Sequence, residues 1–236
     1  MKLRVSDNIQ FHYEIAGNEE KPFLFLVHGS PGSWIKFKKF LADKQMLDNF
    51  RMIVPDRPGY GFSEPGKGRT LGDQSLLLHS FLQKICEGEP VMAVGHSYGG
   101  SVVTQMAVDD QRRFSKMFLL APALDPQYEK YDRWRWWLVH TPLRFLMPAV
   151  AKASNIEFLH LKKELEELAP KLPLIHTPLY VMHGDKDKNV SIRNVDYIKK
   201  NFTGVKDPQI TILQGGNHFL PDNHYDDVKS LILESK

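Results

Sequence analysis

The chain has 236 residues, 42% hydrophobic and 25% charged, which suits one large soluble domain with a substantial core. Its net charge of +3, from 31 basic and 28 acidic residues, is too weak and too scattered for a nucleic-acid partner. A single cysteine, Cys86, excludes an internal disulfide, fits a reducing compartment, and reads as a buried structural thiol.

The N-terminal residues lack the apolar run of a secretory leader, so a cytoplasmic location is expected. Leu3–Val5 and Ile9–Ala16 read as two short strands around Ser6, Asp7 and Asn8, the second alternating like a sheet edge with one wet face. Phe23–Val27 is continuously apolar, as in a strand buried on both faces, and it runs into His28-Gly29-Ser30-Pro31-Gly32. Apolar residues at helical spacing predict a helix over Ser33–Phe50. Met52–Val54 is the next strand, followed by Asp56-Arg57-Pro58-Gly59-Tyr60-Gly61-Phe62-Ser63. Thr70 with Asp73 marks the start of a helix to about Glu87. Val91–Val94 is a strand and Tyr98–Gln111 a helix; Met117–Leu120 is again a strand.

The rhythm then breaks. Asp125–Ile156 contains no strand pattern and many aromatic residues, so residues 125–156 read as a short cap inserted into a core made of residues 1–124 and 157–236. Within it, Trp134–Ala151 is the longest apolar stretch, but Arg135, His140, Pro142, Arg144 and Pro148 exclude a membrane-spanning helix. A helix at about Glu157–Ala169, a strand at Leu179–Met182, a helix at Ser191–Phe202, a strand at Gln209–Leu213 and a helix at Asp226–Glu234 follow. Strands alternating with helices imply a mainly parallel, doubly wound α/β sheet of about eight strands. Ligands bind such sheets at the carboxyl ends of the strands, where every unusual cluster of this chain falls.

One cluster is Gly95-His96-Ser97-Tyr98-Gly99, a G-x-S-x-G turn between strand and helix that would hold Ser97 on a strained apex with its hydroxyl clear of the sheet. A serine hydroxyl needs a base to take its proton and a carboxylate to orient that base. His218, after the last strand and two glycines, is the candidate base. Asp187, after the Leu179–Met182 strand, is the candidate acid, with Asp185 and Asp125 as rivals. Backbone N–H groups of Ser30 and Tyr98 are placed to meet an oxyanion.

These five motifs, in this order at strand ends, resemble the α/β-hydrolase fold family, and within it the small esterase-like, epoxide-hydrolase-like branch, over about residues 9–230. The resemblance implies a triad of Ser97, Asp187 and His218, an oxyanion hole at Ser30 and Tyr98, and no cofactor or metal. Epoxide hydrolases and haloalkane dehalogenases carry aspartate at the elbow, so serine here disfavours both activities. The expected activity is cleavage of a small or medium apolar ester through an acyl-enzyme. The same triad also serves C–C bond hydrolases, proline aminopeptidases and perhydrolases, and a silent ligand-binding member is the remaining alternative. In the cap, Tyr128, Tyr131, Trp134, Trp136, Trp137, Phe145 and Met147 would line an apolar pocket, meet lipid, or fix the cap to the body; Trp134, Trp137 and Phe145 are the candidate pocket residues. Peripheral membrane contact through the cap stays open, as does the oligomeric state.

Overall fold

The computed structural model describes residues 1–6, 9–129 and 132–235; Asp7, Asn8 and Tyr131 of the sequence reading lie outside them. Eight strands form one sheet: β1 (Lys2–Ser6), β2 (Ile9–Gly17), β3 (Phe23–Val27), β4 (Arg51–Pro55), β5 (Val91–His96), β6 (Phe114–Leu120), β7 (Leu179–Gly184) and β8 (Gln209–Leu213). Their order is β1-β2-β4-β3-β5-β6-β7-β8. β2 runs antiparallel to β1 and β4, and all other pairings are parallel.

The helices are α1 (Lys38–Ala42), α2 (Lys44–Asn49), α3 (Leu71–Cys86), α4 (Tyr98–Asp110), α5 (Arg133–His140), α6 (Ala149–Leu168), α7 (Arg193–Asn201), α8 (Leu220–Asn223) and α9 (Tyr225–Glu234). Because strand side chains alternate between faces, the unbroken apolar runs of β3, β5 and β6 feed two cores. Phe25, Ala93 and Met117 pack with α3, α4 and α6 on one face. Leu24, Met92 and Phe118 pack with α1, α2 and α9 on the other.

The single helix expected over Ser33–Phe50 is instead three pieces: a 3-10 turn at Trp34–Phe37, then α1 and α2. Asp43 makes the break. Its backbone is extended (ψ 120°) and its carboxylate accepts from the Met46 amide at 3.0 Å, so it caps α2 and ends α1. The helix expected from about Glu157 starts at Ala149, so the expected boundary between residues 156 and 157 falls inside α6, whose later residues Leu161 and Leu165 enter the core. At α3 the expected cap is present: Thr70 Oγ1 accepts from the Asp73 amide at 3.1 Å. Cys86 is buried, and that burial pushes its thiol up to about 12, the direction of an inert side chain.

In sequence the chain passes from β3 outward to β4 and then returns to the other side of β3 as β5. This reversal opens a crevice beyond the carboxyl ends of β3 and β5, flanked by the loops after β7 and β8.

Candidate active site

Ser97 sits at the β5–α4 turn with φ 56° and ψ −125°, a positive-φ conformation that is unfavourable for any residue but glycine. The turn is held from both sides. A Cβ on Gly95 would lie 2.5 Å from the Gly99 carbonyl oxygen, and one on Gly99 would strike the Val27 carbonyl of β3. Glycine at both positions is what lets the turn close this tightly against β3. The Ser97 amide donates to the Leu120 carbonyl (2.9 Å), and Ser101 donates to the Ala123 carbonyl, anchoring the start of α4 to the end of β6.

The loop after β8 brings His218 over this turn. His218 Nε2 lies 3.0 Å from Ser97 Oγ, and His218 Nδ1 lies 2.7 Å from Asp187 Oδ2. Asp187 is in turn fixed by the loop after β7, its other oxygen accepting from the amides of Asn189 (2.8 Å) and Val190 (2.9 Å). Despite the burial of its side chain, hydrogen bonds from His183, His218 and Val190 hold the Asp187 carboxyl well below the usual range. Of the two rival acids, Asp185 accepts from the Gly215 amide at 2.7 Å and pins the β7 and β8 loops together, while Asp125 accepts from the Gln127 amide at 2.9 Å. Neither meets His218 among the contacts of the described residues.

His96, the variable residue of the G-x-S turn, donates from Nε2 to the His218 carbonyl oxygen at 2.8 Å. Burial, then the neighbouring His218, lowers its pKa to about 4, so it stays a neutral positioning group across the ordinary pH range. The amides of Ser30 and Tyr98 donate to no other described group. Tyr98 is the first residue of α4, where amides lack intrahelical partners.

The turn carrying Ser30 is braced from behind by Arg57, which is fully buried. All five guanidinium donors are used: Nε to the His28 carbonyl (2.8 Å), Nη1 to Gln74 Oε1 (2.6 Å) and Glu157 Oε1 (2.6 Å), Nη2 to the Gly29 carbonyl (3.0 Å) and Glu157 Oε2 (3.3 Å). The rings of Tyr60 and Tyr98 lie 4.7 and 4.8 Å from it. Glu157 belongs to α6 and also accepts from Tyr60 (2.6 Å) and Gln74 (2.9 Å). Ser30 Oγ is 2.8 Å from Tyr60 Oη and 3.0 Å from Ser154 Oγ of α6. The Asp56–Ser63 segment thus couples the β3 turn to α6, chiefly through Glu157, an unremarkable helix residue in the sequence.

Ser97 and His218 open into a cavity of about 480 Å³, also lined by Pro31, Lys36, Glu129, Phe158, Val190 and Phe219. The candidate pocket residues Trp134, Trp137 and Phe145 do not line it. They are exposed: neither α5 nor the 3-10 turn at Pro142–Phe145 has a buried residue, and α5 lies against α6. Glu129 and Phe158 take the wall positions instead, and nothing in residue spacing singles them out. A second, more open groove of about 770 Å³ shares Pro31 and Lys36 with the cavity and extends to Ala149 and Val150.

Glu129 makes no hydrogen bond or ion pair with a described residue, and burial, opposed by Arg135, pushes its carboxyl from near 4.5 up to about 7. A raised folded-state pKa contributes stability that is full below pH 4.5 and lost as pH rises through 7. Glu129→Gln is therefore expected to unfold like wild type at pH 4 and to be more stable by about 1–3 kcal/mol at pH 8. Urea titrations at the two pH values check this, and equal stabilities at pH 8 would contradict it.

A sheet of this order with a serine on a strained strand-to-helix turn defines the architecture of an α/β hydrolase. Residues 22–145 match the family model described as alpha/beta hydrolase fold, and the chain belongs to that family. Among curated proteins it is 31% identical over 110 residues to the AB hydrolase superfamily protein YfhM of Bacillus subtilis, covering 43% of this chain and 36% of that one. It is 27% identical over 130 residues to a pimeloyl-[acyl-carrier protein] methyl ester esterase of Nitrosospira multiformis, covering 53% and 47%. The chain thus spans less than half the length of these relatives. An alpha/beta hydrolase fold protein from Burkholderia ambifaria superimposes with a TM-score of 0.81 at 17% identity, over 99% of this chain and 97% of that one. A thermophilic esterase from Thermogutta terrifontis does so at 0.78 and 18%, over 99% and 96%. These likenesses establish the fold.

Proposed function

We propose that the chain is a serine hydrolase that cleaves a small or medium carboxylic ester through an acyl-enzyme. Ser97 Oγ attacks the ester carbonyl while His218 Nε2 takes its proton. Asp187 holds the imidazole by Nδ1 and stabilises the imidazolium. The amides of Ser30 and Tyr98 donate to the oxyanion. His218 then returns the proton to the departing alcohol, and water repeats the cycle to release the acid. The observation that carries this reading is the unbroken chain from Ser97 through His218 to Asp187, at 3.0 and 2.7 Å, opening into a cavity with apolar walls at Phe158, Val190 and Phe219. The esterase named among the relatives agrees with it.

Labelling with a fluorophosphonate, followed by peptide mapping, tests the assignment, because the probe needs an activated serine and oxyanion donors. A covalent adduct on Ser97 is expected. A folded chain that takes no label and leaves p-nitrophenyl acetate intact would defeat the reading.

A second reading draws on Glu129. A carboxyl in the cavity wall with no partner among the described residues suits a substrate carrying an amine, as an aminopeptidase would need. Rates on p-nitrophenyl esters set against aminoacyl anilides separate the two.

A further inference from the structure

The segment after β6 presents an apolar surface to solvent. Trp137, Phe145 and Leu146 are 62%, 73% and 82% exposed, and Trp134 and Trp136 are exposed beside them. No side chain of α5 is buried, nor is any in the 3-10 turn at Pro142–Phe145. A soluble surface seldom carries so many large apolar groups together unless something covers them.

Charge says what the cover is. From Arg133 to Ile156 there are four basic residues, Arg133, Arg135, Arg144 and Lys152, and not one aspartate or glutamate. Arg135 is taken up by Asp132 (3.2 Å), but Arg133, Arg144 and Lys152 have no acidic partner among the described residues. The cations are interleaved with the rings: Arg135 lies 4.6 Å from the Trp134 ring, and Arg144 lies 4.7 Å from that of Phe145. A second copy of the chain fits poorly, because a two-fold contact would set this cationic face against itself. Tryptophan rings with arginine heads between them match the headgroup layer of a bilayer, where the ring lies at the boundary and the cation meets phosphate.

We infer that the exposed face of residues 133–146, with Lys152, docks on the surface of an anionic lipid bilayer. No helix among the described residues is long and apolar enough to cross one, so the contact is peripheral and reversible. The face adjoins the cavity: the Arg135 guanidinium that covers Trp134 also lies 5.1 Å from the ring of Phe158 in the cavity wall. The inference concerns binding alone and does not rest on the ester-hydrolase reading.

The test is co-sedimentation of the full chain with vesicles of phosphatidylcholine, pure or mixed with phosphatidylglycerol, followed in parallel by tryptophan emission. Three of the four tryptophans lie in α5 and report insertion directly. Each basic residue near an anionic surface is worth about five-fold in affinity, so Arg133, Arg144 and Lys152, without an acidic partner among the described residues, predict a preference of about 100-fold for the mixed vesicles, collapsing in high salt. Trp137→Ser with Phe145→Ser and Leu146→Ser should abolish binding. Arg133→Glu with Arg144→Glu should weaken it about 25-fold or more. None of these side chains is buried, so unchanged circular dichroism is expected throughout.

Binding to anionic vesicles that both variants lose supports the inference. Failure of the wild type to bind them overturns it, whether the surface then proves to hold an acidic protein or a second copy. Binding that the variants retain, or that ignores lipid charge, overturns it as well.

Discussion

Replacing Ser97 by alanine is expected to lower ester turnover by roughly 10⁴–10⁶-fold while leaving the fold and the substrate KM nearly unchanged. The reason lies in the hydrogen-bond chain itself. His218 and Asp187 are positioned by their own loops, through the His96 bond to the His218 carbonyl and the Asn189 and Val190 amides on Asp187, so neither depends on Ser97. On the proposed mechanism, what the alanine variant loses is the nucleophile alone. The residual rate should come from any remaining oxyanion donors and from binding. Replacing the positive-φ residue by another L residue leaves the local strain in place, so little change in melting temperature is expected. Burst-phase and steady-state kinetics on p-nitrophenyl esters check this. Turnover within ten-fold of wild type would remove Ser97 from the mechanism.

The second large effect is structural. Glu157→Ala leaves the Arg57 guanidinium fully buried, with two of its five donors facing nothing, and strips an acceptor from Tyr60 and Gln74. Removing one partner of a buried ion pair costs about 3–5 kcal/mol, because the surviving charge cannot return to water. For a domain of this size that is a fall in melting temperature of roughly 10 °C. Glu157→Gln keeps the side-chain shape and one acceptor oxygen but turns the other into an NH2 that faces donors, so it should restore only part of the loss. The Gly29 carbonyl, held by Arg57 at 3.0 Å, ties this pair to the Ser30 turn. Slower fluorophosphonate labelling of folded Glu157→Ala should accompany the loss of stability. Unfolding curves that overlay wild type would show that the pair contributes nothing.

The parts of this molecule that repeat local chemistry were legible in the sequence. The apolar runs that stop at Val27, Val94 and Leu213 lead into glycine-rich turns and the one that stops at Leu120 leads into Ala121-Pro122, and Gly95 and Gly99 mark the elbow because nothing larger fits. Ser97, Asp187 and His218 stand after strands in the sequence, and the fold brings the three side chains within hydrogen-bond distance. What stayed hidden depends on partners distant in the chain. Glu157 looks like any helical glutamate until Arg57, 100 residues earlier, is folded against it. Glu129 enters the cavity wall only through the path of the chain after β6. Trp134, Trp137 and Phe145 were candidates for a pocket, for lipid contact or for fixing the cap to the body, and residue spacing could not choose; the structure leaves them exposed on α5 and on the 3-10 turn after it. The break at Asp43 escaped notice because apolar spacing continues on both sides of a cap that only backbone geometry defines.

The reversal of strand order around β3 also shapes how the molecule comes into being. Ser97 and His218 lie 121 residues apart along the chain, and Asp187 lies 31 residues before His218. Parallel neighbours can be joined only by long crossovers, so closing them is entropically demanding and cannot proceed one hairpin at a time. Ser97 is made long before His218, its hydrogen-bond partner. The hydrogen-bond chain from Ser97 through His218 to Asp187 can close only when the loop after β8 has been made and folded back to the centre of the sheet.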